Sequence, residues 1–243
     1  MIKESTTYVA NLIGHEDVAD GTKAFYFRRP AGFQFRAGQY IDVTLLNPPQ
    51  TDAEGNTRTF SLVNAPSADT LIIATRMRDT AFKRVLASLP LGLYVNIKGP
   101  MGSFCLQKDA SLPTILMAGG IGITPFMSII ADASARKLSH ELFLFYSNRQ
   151  PKDAPFLDQF VHVSSLNQHF HFVPTMTETA GSNVWKGESA LLSPDLISRH
   201  VPGFLHAHYF IAGPPAMVAG VSQSLSQAGV EEGDIRADEF FGY

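Results

Sequence analysis

Ala118-Gly119-Gly120-Ile121-Gly122-Ile123-Thr124-Pro125 decides how the rest of the chain is read. An apolar run, Thr114 to Ala118, enters this segment as a buried strand, and a helical pattern, Pro125 to Arg136, leaves it. Thr124 is placed to cap that helix and Pro125 to occupy its first position. Glycines let the backbone come close to a ligand, and the free N–H groups at a helix start attract a pyrophosphate. The spacing is not the common G-x-G-x-x-G, so the segment alone fits either a nucleotide turn or a tight strand–helix turn with no ligand. From Leu112 to Ile130 there is no charge over 19 residues, close to the roughly 20 needed to cross a bilayer. Pro113, Gly119, Gly120, Gly122 and Pro125 would open the backbone in hydrocarbon, where nothing could satisfy it. The stretch is read as strand, turn and helix, with no membrane span.

Downstream, strands alternate with helices. Leu142–Tyr146, His169–Val173 and His208–Ala212 read as strands; Pro155–Val163, Pro194–His200 and Ala216–Ala228 read as helices. That alternation predicts a parallel sheet with right-handed crossovers. Ala212-Gly213-Pro214-Pro215 closes one of these strands, and ligands of open α/β sheets bind at such carboxyl ends. Gly213 is expected to leave room there for a flat ring.

Upstream the pattern is different. Tyr8–Ile13, Thr22–Arg28, Gly38–Leu46, Arg58–Val63, Thr70–Arg76 and Leu93–Lys98 read as short strands. His15 to Gly21 is a turn between the first two. One helix interrupts them, with Phe82, Val85, Leu86 and Leu89 on one face and Asp79 or Thr80 as cap. Six strands and one helix predict an antiparallel six-stranded β-barrel. The chain is therefore read as two domains, 1–106 and 112–243, the second an α/β parallel-sheet domain. The polar run Gln107-Lys108-Asp109-Ala110-Ser111 falls at the boundary.

Composition bounds the function. The 243 residues are 45% apolar and 17% charged, enough to form a core. Net charge is −3, which argues against a nucleic-acid partner. Eleven basic residues face nine acidic ones in 1–106, and eight face thirteen in 107–243. So small a bias fits chance scatter, or else a first domain that holds a phosphorylated cofactor or meets an acidic partner. The single cysteine, Cys105, excludes an intrachain disulfide, a four-thiolate iron–sulfur cluster and a multi-cysteine zinc site. With no apolar run at Met1 to Thr6, a cytoplasmic location is expected.

Arg58-Thr59-Phe60-Ser61 joins a cation, a planar ring and a hydroxyl. On a strand, Arg58 and Phe60 share one face and Thr59 and Ser61 the other. Asp79-Thr80-Ala81-Phe82 offers a second helix start, flanked by Arg76 and Arg78. With Gly99-Pro100-Met101-Gly102-Ser103-Phe104, the glycine turn at 119–125, Gly213-Pro214-Pro215-Ala216-Met217 and the tail Glu239-Phe240-Phe241-Gly242-Tyr243, these motifs stand in the order found in the ferredoxin–NADP reductase superfamily, which the chain resembles over nearly its whole length.

That resemblance implies FAD, rather than FMN, clamped between the domains. Arg58 would bind flavin phosphate, Phe60 would stack on the ring and Ser61 would hydrogen-bond near its reactive nitrogen. Thr59, Thr75 and Arg78 would line the same site, and Thr80, Ala81 and Phe82 would cap the pyrophosphate. Gly119, Gly120, Gly122, Thr124, Pro125, Gly213, Pro214 and Pro215 would seat the nicotinamide nucleotide. Phe241 or Tyr243 would cover the other flavin face, and Glu239 would sit near the hydride path, as a catalytic group with Ser61. Phe60 stands where tyrosine is more frequent, and Ala212 where many relatives carry cysteine.

Tyr146-Ser147-Asn148-Arg149 ends a strand with no carboxylate, and Ser147 and Arg149 suit a 2′-phosphate. The resemblance therefore implies hydride transfer from NADPH to FAD, with electrons passed to a separate carrier such as ferredoxin or flavodoxin, or the reverse. The alternatives are an NADH-dependent reductase for an oxygenase, a ferric chelate or a quinone, and a non-catalytic flavin-binding subunit using Trp185 as an interface. His169 with His171, and His206 with His208, are i, i+2 pairs lacking further ligands, so no metal site is expected.

Overall fold

The computed structural model describes residues 6–178 and 185–241. β1 (Thr7–Ala19), β2 (Thr22–Arg28), β3 (Tyr40–Leu45), β4 (Thr57–Ser61), β5 (Thr70–Arg76) and β6 (Tyr94–Met101) form one antiparallel sheet, ordered β4-β3-β6-β1-β2-β5. α1 (Ala81–Ser88) lies between β5 and β6 in the chain. β3 shows why the sheet forms: Ile41, Val43 and Leu45 are buried while Tyr40, Asp42 and Thr44 are only half-buried, the period of two that faces a core on one side. β1 reaches two neighbours, pairing with β6 over Thr7–Asn11 and with β2 from Leu12 onward, with register shifts at Leu12/Gly14 and Asp17/Ala19. Such irregularities bend a strand, and the sheet curls into a half-barrel. Its seam is thin: Val63 N–H donates to Ile72 O at 2.9 Å, and the buried Asn64 amide bonds Ile72 N and Thr70 O.

β7 (Thr114–Gly119), β8 (Leu142–Asn148), β9 (Phe170–Met176), β10 (His208–Gly213) and β11 (Ile235–Glu239) form a parallel sheet ordered β11-β10-β7-β8-β9. α2 (Thr124–Ala135), α3 (Leu157–Leu166), α4 (Pro194–His200) and α5 (Pro215–Gln227) cross between its strands. All six residues of β7 are buried, as a strand covered on both faces requires. Leu116 and Ala118 pack with Phe126 and Ile129 of α2 and Phe160 of α3. Ile115 and Met117 pack with Leu196 of α4 and Val218 of α5. The first of these clusters also takes in Ala24, Val63 and Ala74 from the antiparallel half, so the α2 layer lies against both halves. Burying a ring such as Phe126, fully enclosed, is worth roughly 1.5–3 kcal/mol. The order reverses between β7 and β10, which opens a crevice at their carboxyl ends.

Several expectations shift. The first turn is only Asp20-Gly21, because β1 continues to Ala19, which pairs with Thr22; Gly21 supplies the positive φ of 63° that a two-residue hairpin turn demands. Thr124 does not cap α2. A 3-10 turn over Gly120–Ile123 comes first, and Thr124 opens the helix with its hydroxyl donating to Ile121 O at 3.1 Å. β11 is an extra strand, polar in sequence because it lies at the sheet edge. Trp185 is half-buried against the chain's own core and donates to Glu188 O at 2.8 Å. Among the described residues no helix is long and apolar enough to cross a membrane.

Candidate functional site

β4 and α1 build one wall of a cleft of about 340 Å³. Arg58 and Phe60 share a face, as their spacing requires. The Arg58 guanidinium lies 5.3 Å from the centre of the Phe82 ring, and the Phe60 ring lies 5.9 Å from the same ring. Phe60 reaches the cleft but is only 8% exposed and belongs to the half-barrel core. Ser61, 6% exposed, also lines the cleft, and its hydroxyl makes no hydrogen bond to a described residue. Thr59 donates to Asp42 Oδ1. Thr75, Arg78 and Thr80 complete this wall, and Thr80 caps α1 by accepting from Lys83 N at 3.4 Å. Ala81 and Phe82 are buried behind it.

The wall is cationic. Lys83 lines the cleft with Arg58 and Arg78; burial first, and then the charges of Arg78 and Arg58, hold its ammonium below the usual lysine range. With Arg76, four cations face one acid, Glu54, around this cleft, an excess that favours an anionic ligand. Arg58 is held by Asp52 at 3.1 Å and Glu54 at 2.8 Å and donates to the carbonyls of Glu54, Gly55 and Thr57.

The opposite wall comes from the parallel sheet through Ile121 and Thr124. β11 brings the tail there: Gly213 pairs with Glu239, and Phe240 N–H donates to Gly213 O at 2.9 Å. Phe240 and the 78%-exposed Phe241 then face the first wall. Tyr243 lies outside the described residues. Glu239 lines a second cleft of about 530 Å³, with Tyr40, Asp42 and Asp238, which shares Thr59, Ser61, Phe240 and Phe241 with the first. Burial pushes the Asp238 carboxyl above its usual range.

The glycines beside the cleft serve close packing. A Cβ on Gly122 would lie 2.3 Å from Ala212 O, and one on Gly119 2.3 Å from Met217 Sδ. Gly213 does not face open room, since Met217 Cε and the Gly119 backbone fill that direction at 2.8 and 3.1 Å. Pro214 and Pro215 start α5, and Pro125 is buried in the first turn of α2. Neither these nor Gly120 line the first cleft. Ser147 pairs with Gly119 across β7 and β8, while the exposed Arg149 meets Glu178 at 3.5 Å. The strand end thus does hold a carboxylate, brought from just beyond β9, a neighbour that a reading of β8 alone cannot supply. Ile121, Lys83, Phe240 and Asp52 were likewise missed: Asp52 and Phe240 arrive through tertiary packing, whereas Ile121 lies within the glycine turn and Lys83 directly follows Phe82 on α1, signals that could have found them.

Outside the clefts, His169 and His171 share the Glu141 carboxylate at 2.6 and 3.0 Å, and His208 faces Asp234 at 3.3 Å. Cys105 is free and buried, and burial raises its thiol.

Residues 116–223 match the oxidoreductase NAD-binding domain family. Over 217 residues the chain is 26% identical to the reductase component of propane 2-monooxygenase from Mycolicibacterium smegmatis, covering 87% of this chain and 60% of that protein. The chain therefore spans about three fifths of the length of that curated relative. Among solved structures, the Amycolatopsis cytochrome P450 reductase GcoB superposes with a TM-score of 0.82 at 24% identity, over 99% of this chain and 72% of that one. A ferredoxin NADP+ reductase from Neisseria gonorrhoeae, solved with bound FAD and NADP, gives 0.80 at 21% identity, over 98% and 100%. Both structural likenesses speak for the fold alone: a half-barrel followed by a parallel sheet flanked by helices.

Proposed function

We propose that the chain, which resembles the ferredoxin–NADP reductase superfamily in its motifs and two-domain fold, is a flavin-dependent NAD(P)H oxidoreductase. One observation carries this reading: a single cleft between the two halves gathers Arg58, Arg78 and Lys83, the buried Ser61 hydroxyl, which bonds to no described residue, and aromatic rings from the tail. That donor set fits a phosphate-bearing planar ligand such as FAD. When bound, a flavin accepts hydride from a nicotinamide and releases electrons singly or in pairs. Arg58 and the start of α1 hold the phosphates. With a flavin bound, Ser61 would donate a hydrogen bond to the ring, Phe60 would back it, and Phe241 would cover the far face. Gly119 to Thr124 and Gly213 to Pro215 form the mouth that receives the dinucleotide, and Glu239 lies at the second cleft, beside the hydride path. Thr75 shapes the floor.

Arg149 and Glu178 choose the donor. A 2′-phosphate pairs with Arg149, which favours NADPH and a separate carrier such as ferredoxin or flavodoxin. Free ribose hydroxyls donate to Glu178 instead. The carboxylate beside Arg149 thus supports a second reading, NADH as donor, and the monooxygenase reductase relative supports an oxygenase as acceptor. The lone buried Cys105 suits a reducing cytoplasm.

The test is an anaerobic spectrum of the purified protein with each nucleotide. A yellow protein that bleaches on addition of NADPH or NADH supports the assignment, and stopped-flow rates with the two nucleotides decide the donor. A protein that stays colourless after mixing with FAD ends the reading.

A further inference from the structure

The loop from 46 to 56, between β3 and β4, places an acid where the flavin reading needs an anion. Asp52 turns toward α1, and one of its carboxylate oxygens accepts from the Ala81 N–H at 3.0 Å. The other accepts from Arg58 Nη2 and from the Glu54 N–H, both at 3.1 Å. Glu54 adds a second carboxylate to the same guanidinium at 2.8 Å. Asp52 therefore engages both groups that would hold a phosphate: the guanidinium of β4 and the first amide of α1. Arg78 and Lys83, on the same wall, make no ion pair with a described residue. The base of the loop is clamped, since Leu45 N donates to Asn56 O and Asn56 Nδ2 to Leu45 O, each at 2.9 Å. Movement of Asp52 is thus a matter of the loop tip alone.

A carboxylate tethered this way stands at high effective concentration against any anion arriving from solution. A flavin phosphate carries more charge and more acceptor oxygens, so it can displace the acid. The displaced acid stays close enough to return. We propose that Asp52 competes with the flavin phosphate for Arg58 and the start of α1, so that the flavin is held exchangeably and the loop tip sets its release. This rests on the flavin reading above and adds the group that regulates retention.

The test compares the full-length wild type with Asp52→Asn and Asp52→Ala. Fluorescence recovery on dilution follows release of FAD and FMN, and riboflavin, which has no phosphate, is the control. With competition, both variants hold FAD and FMN about tenfold more tightly, the scale of removing one nearby like charge, while riboflavin affinity is unchanged. Asp52→Glu retains most of the competition. Weaker FAD binding in Asp52→Ala, in a protein whose melting temperature is intact, overturns the proposal and makes Asp52 a positioning residue for Arg58. Equal release in wild type and variants overturns it as well, with the flavin assignment untouched. If the wild type binds no flavin at all, the assignment and the proposal fall together.

Discussion

Arg58, Arg78 and Lys83 give the half-barrel side of the cleft its charge, while the parallel-sheet side, lined by Ile121, Thr124, Phe240 and Phe241, is backed by close packing that leaves no room for a side chain at Gly119, Gly122 or Gly213. On the first side, polar groups point at a ligand volume, and the half-barrel's apolar core lies behind them. On the second side, the ends of β7 and β10 and the turn after β7 touch one another so closely that no Cβ fits. The contrast teaches where each half is vulnerable. Losing a side chain from the charged wall should release ligand and leave the fold standing. Gaining one at the glycine mouth should strike the fold itself.

The largest expected effect follows from the second half of that contrast. Gly122→Val would drive a Cβ to 2.3 Å from Ala212 O, a backbone atom with no freedom to yield. A cost of about 3 kcal/mol is expected, lowering the melting temperature by roughly 6–12 °C for a chain of this size. Gly220, inside α5, has nothing within 4 Å of the position a Cβ would take. Gly220→Ala should instead stabilise by about 0.5–1 kcal/mol through helix propensity. If thermal unfolding shows the two variants alike, close packing is not what selects glycine at the mouth.

Arg58→Ala tests the other half. Loss of charge-assisted bonds worth about 1.5–3 kcal/mol predicts roughly 10- to 100-fold weaker FAD binding. The melting temperature should move far less than for Gly122→Val. A fall as deep as that of the glycine variant would erase the distinction between the two sides.

The two halves also differed in how far they could be read in advance. Thr22–Arg28 and Thr70–Arg76 appear at their observed limits because alternation and β-branched residues announce them, and Pro194–His200 because Ser193 and Pro194 mark its start. Arg58, Ser61 and Thr80 stood out in the sequence because local pattern places them on a strand or at a helix start, and the structure brings all three to one cleft. Glu178 and Asp52 did not, because what brings each to its partner is a contact between segments far apart in sequence, such as Asp52 with Ala81. The glycine mouth was legible as a turn. Its 3-10 character and the packing of Met217 over Gly213 depend on how β10 comes to lie beside β7, and no local signal carries that. β11 escaped for a related reason: an edge strand with Arg236 and Asp238 lacks the apolar run that marks an inner one.

Ser61→Ala sharpens the charged side further. Its hydroxyl makes no bond to the described protein, so removing it leaves no protein partner unsatisfied and stability should hold within about 0.5 kcal/mol. Flavin affinity should also change little. The rate of flavin reduction by nucleotide should fall several-fold, on the scale of one hydrogen bond of about 1 kcal/mol. Stopped-flow absorbance reads that rate, and an unchanged value would remove Ser61 from the reacting end of the cleft.

The smallest effect concerns Asp238, which β11 places at the second cleft beside Glu239. Burial raises its carboxyl above the ordinary value of 3.8. The sign follows from proton linkage: between the unfolded and folded values the native state binds more protons than the unfolded chain, so stability falls as pH rises through that window. At neutral pH the deficit is complete, whereas at pH 3 both states are mostly protonated and most of it is gone. Asp238→Asn should therefore raise the melting temperature at pH 7 by less than the roughly 2–4 °C that 1 kcal/mol represents here, and the gain should shrink toward pH 3. A gain that does not vary with pH would assign the difference to packing. A loss at pH 7 would mean that the carboxylate is held by a partner, and the parallel-sheet side would then carry charge by design as the half-barrel side does.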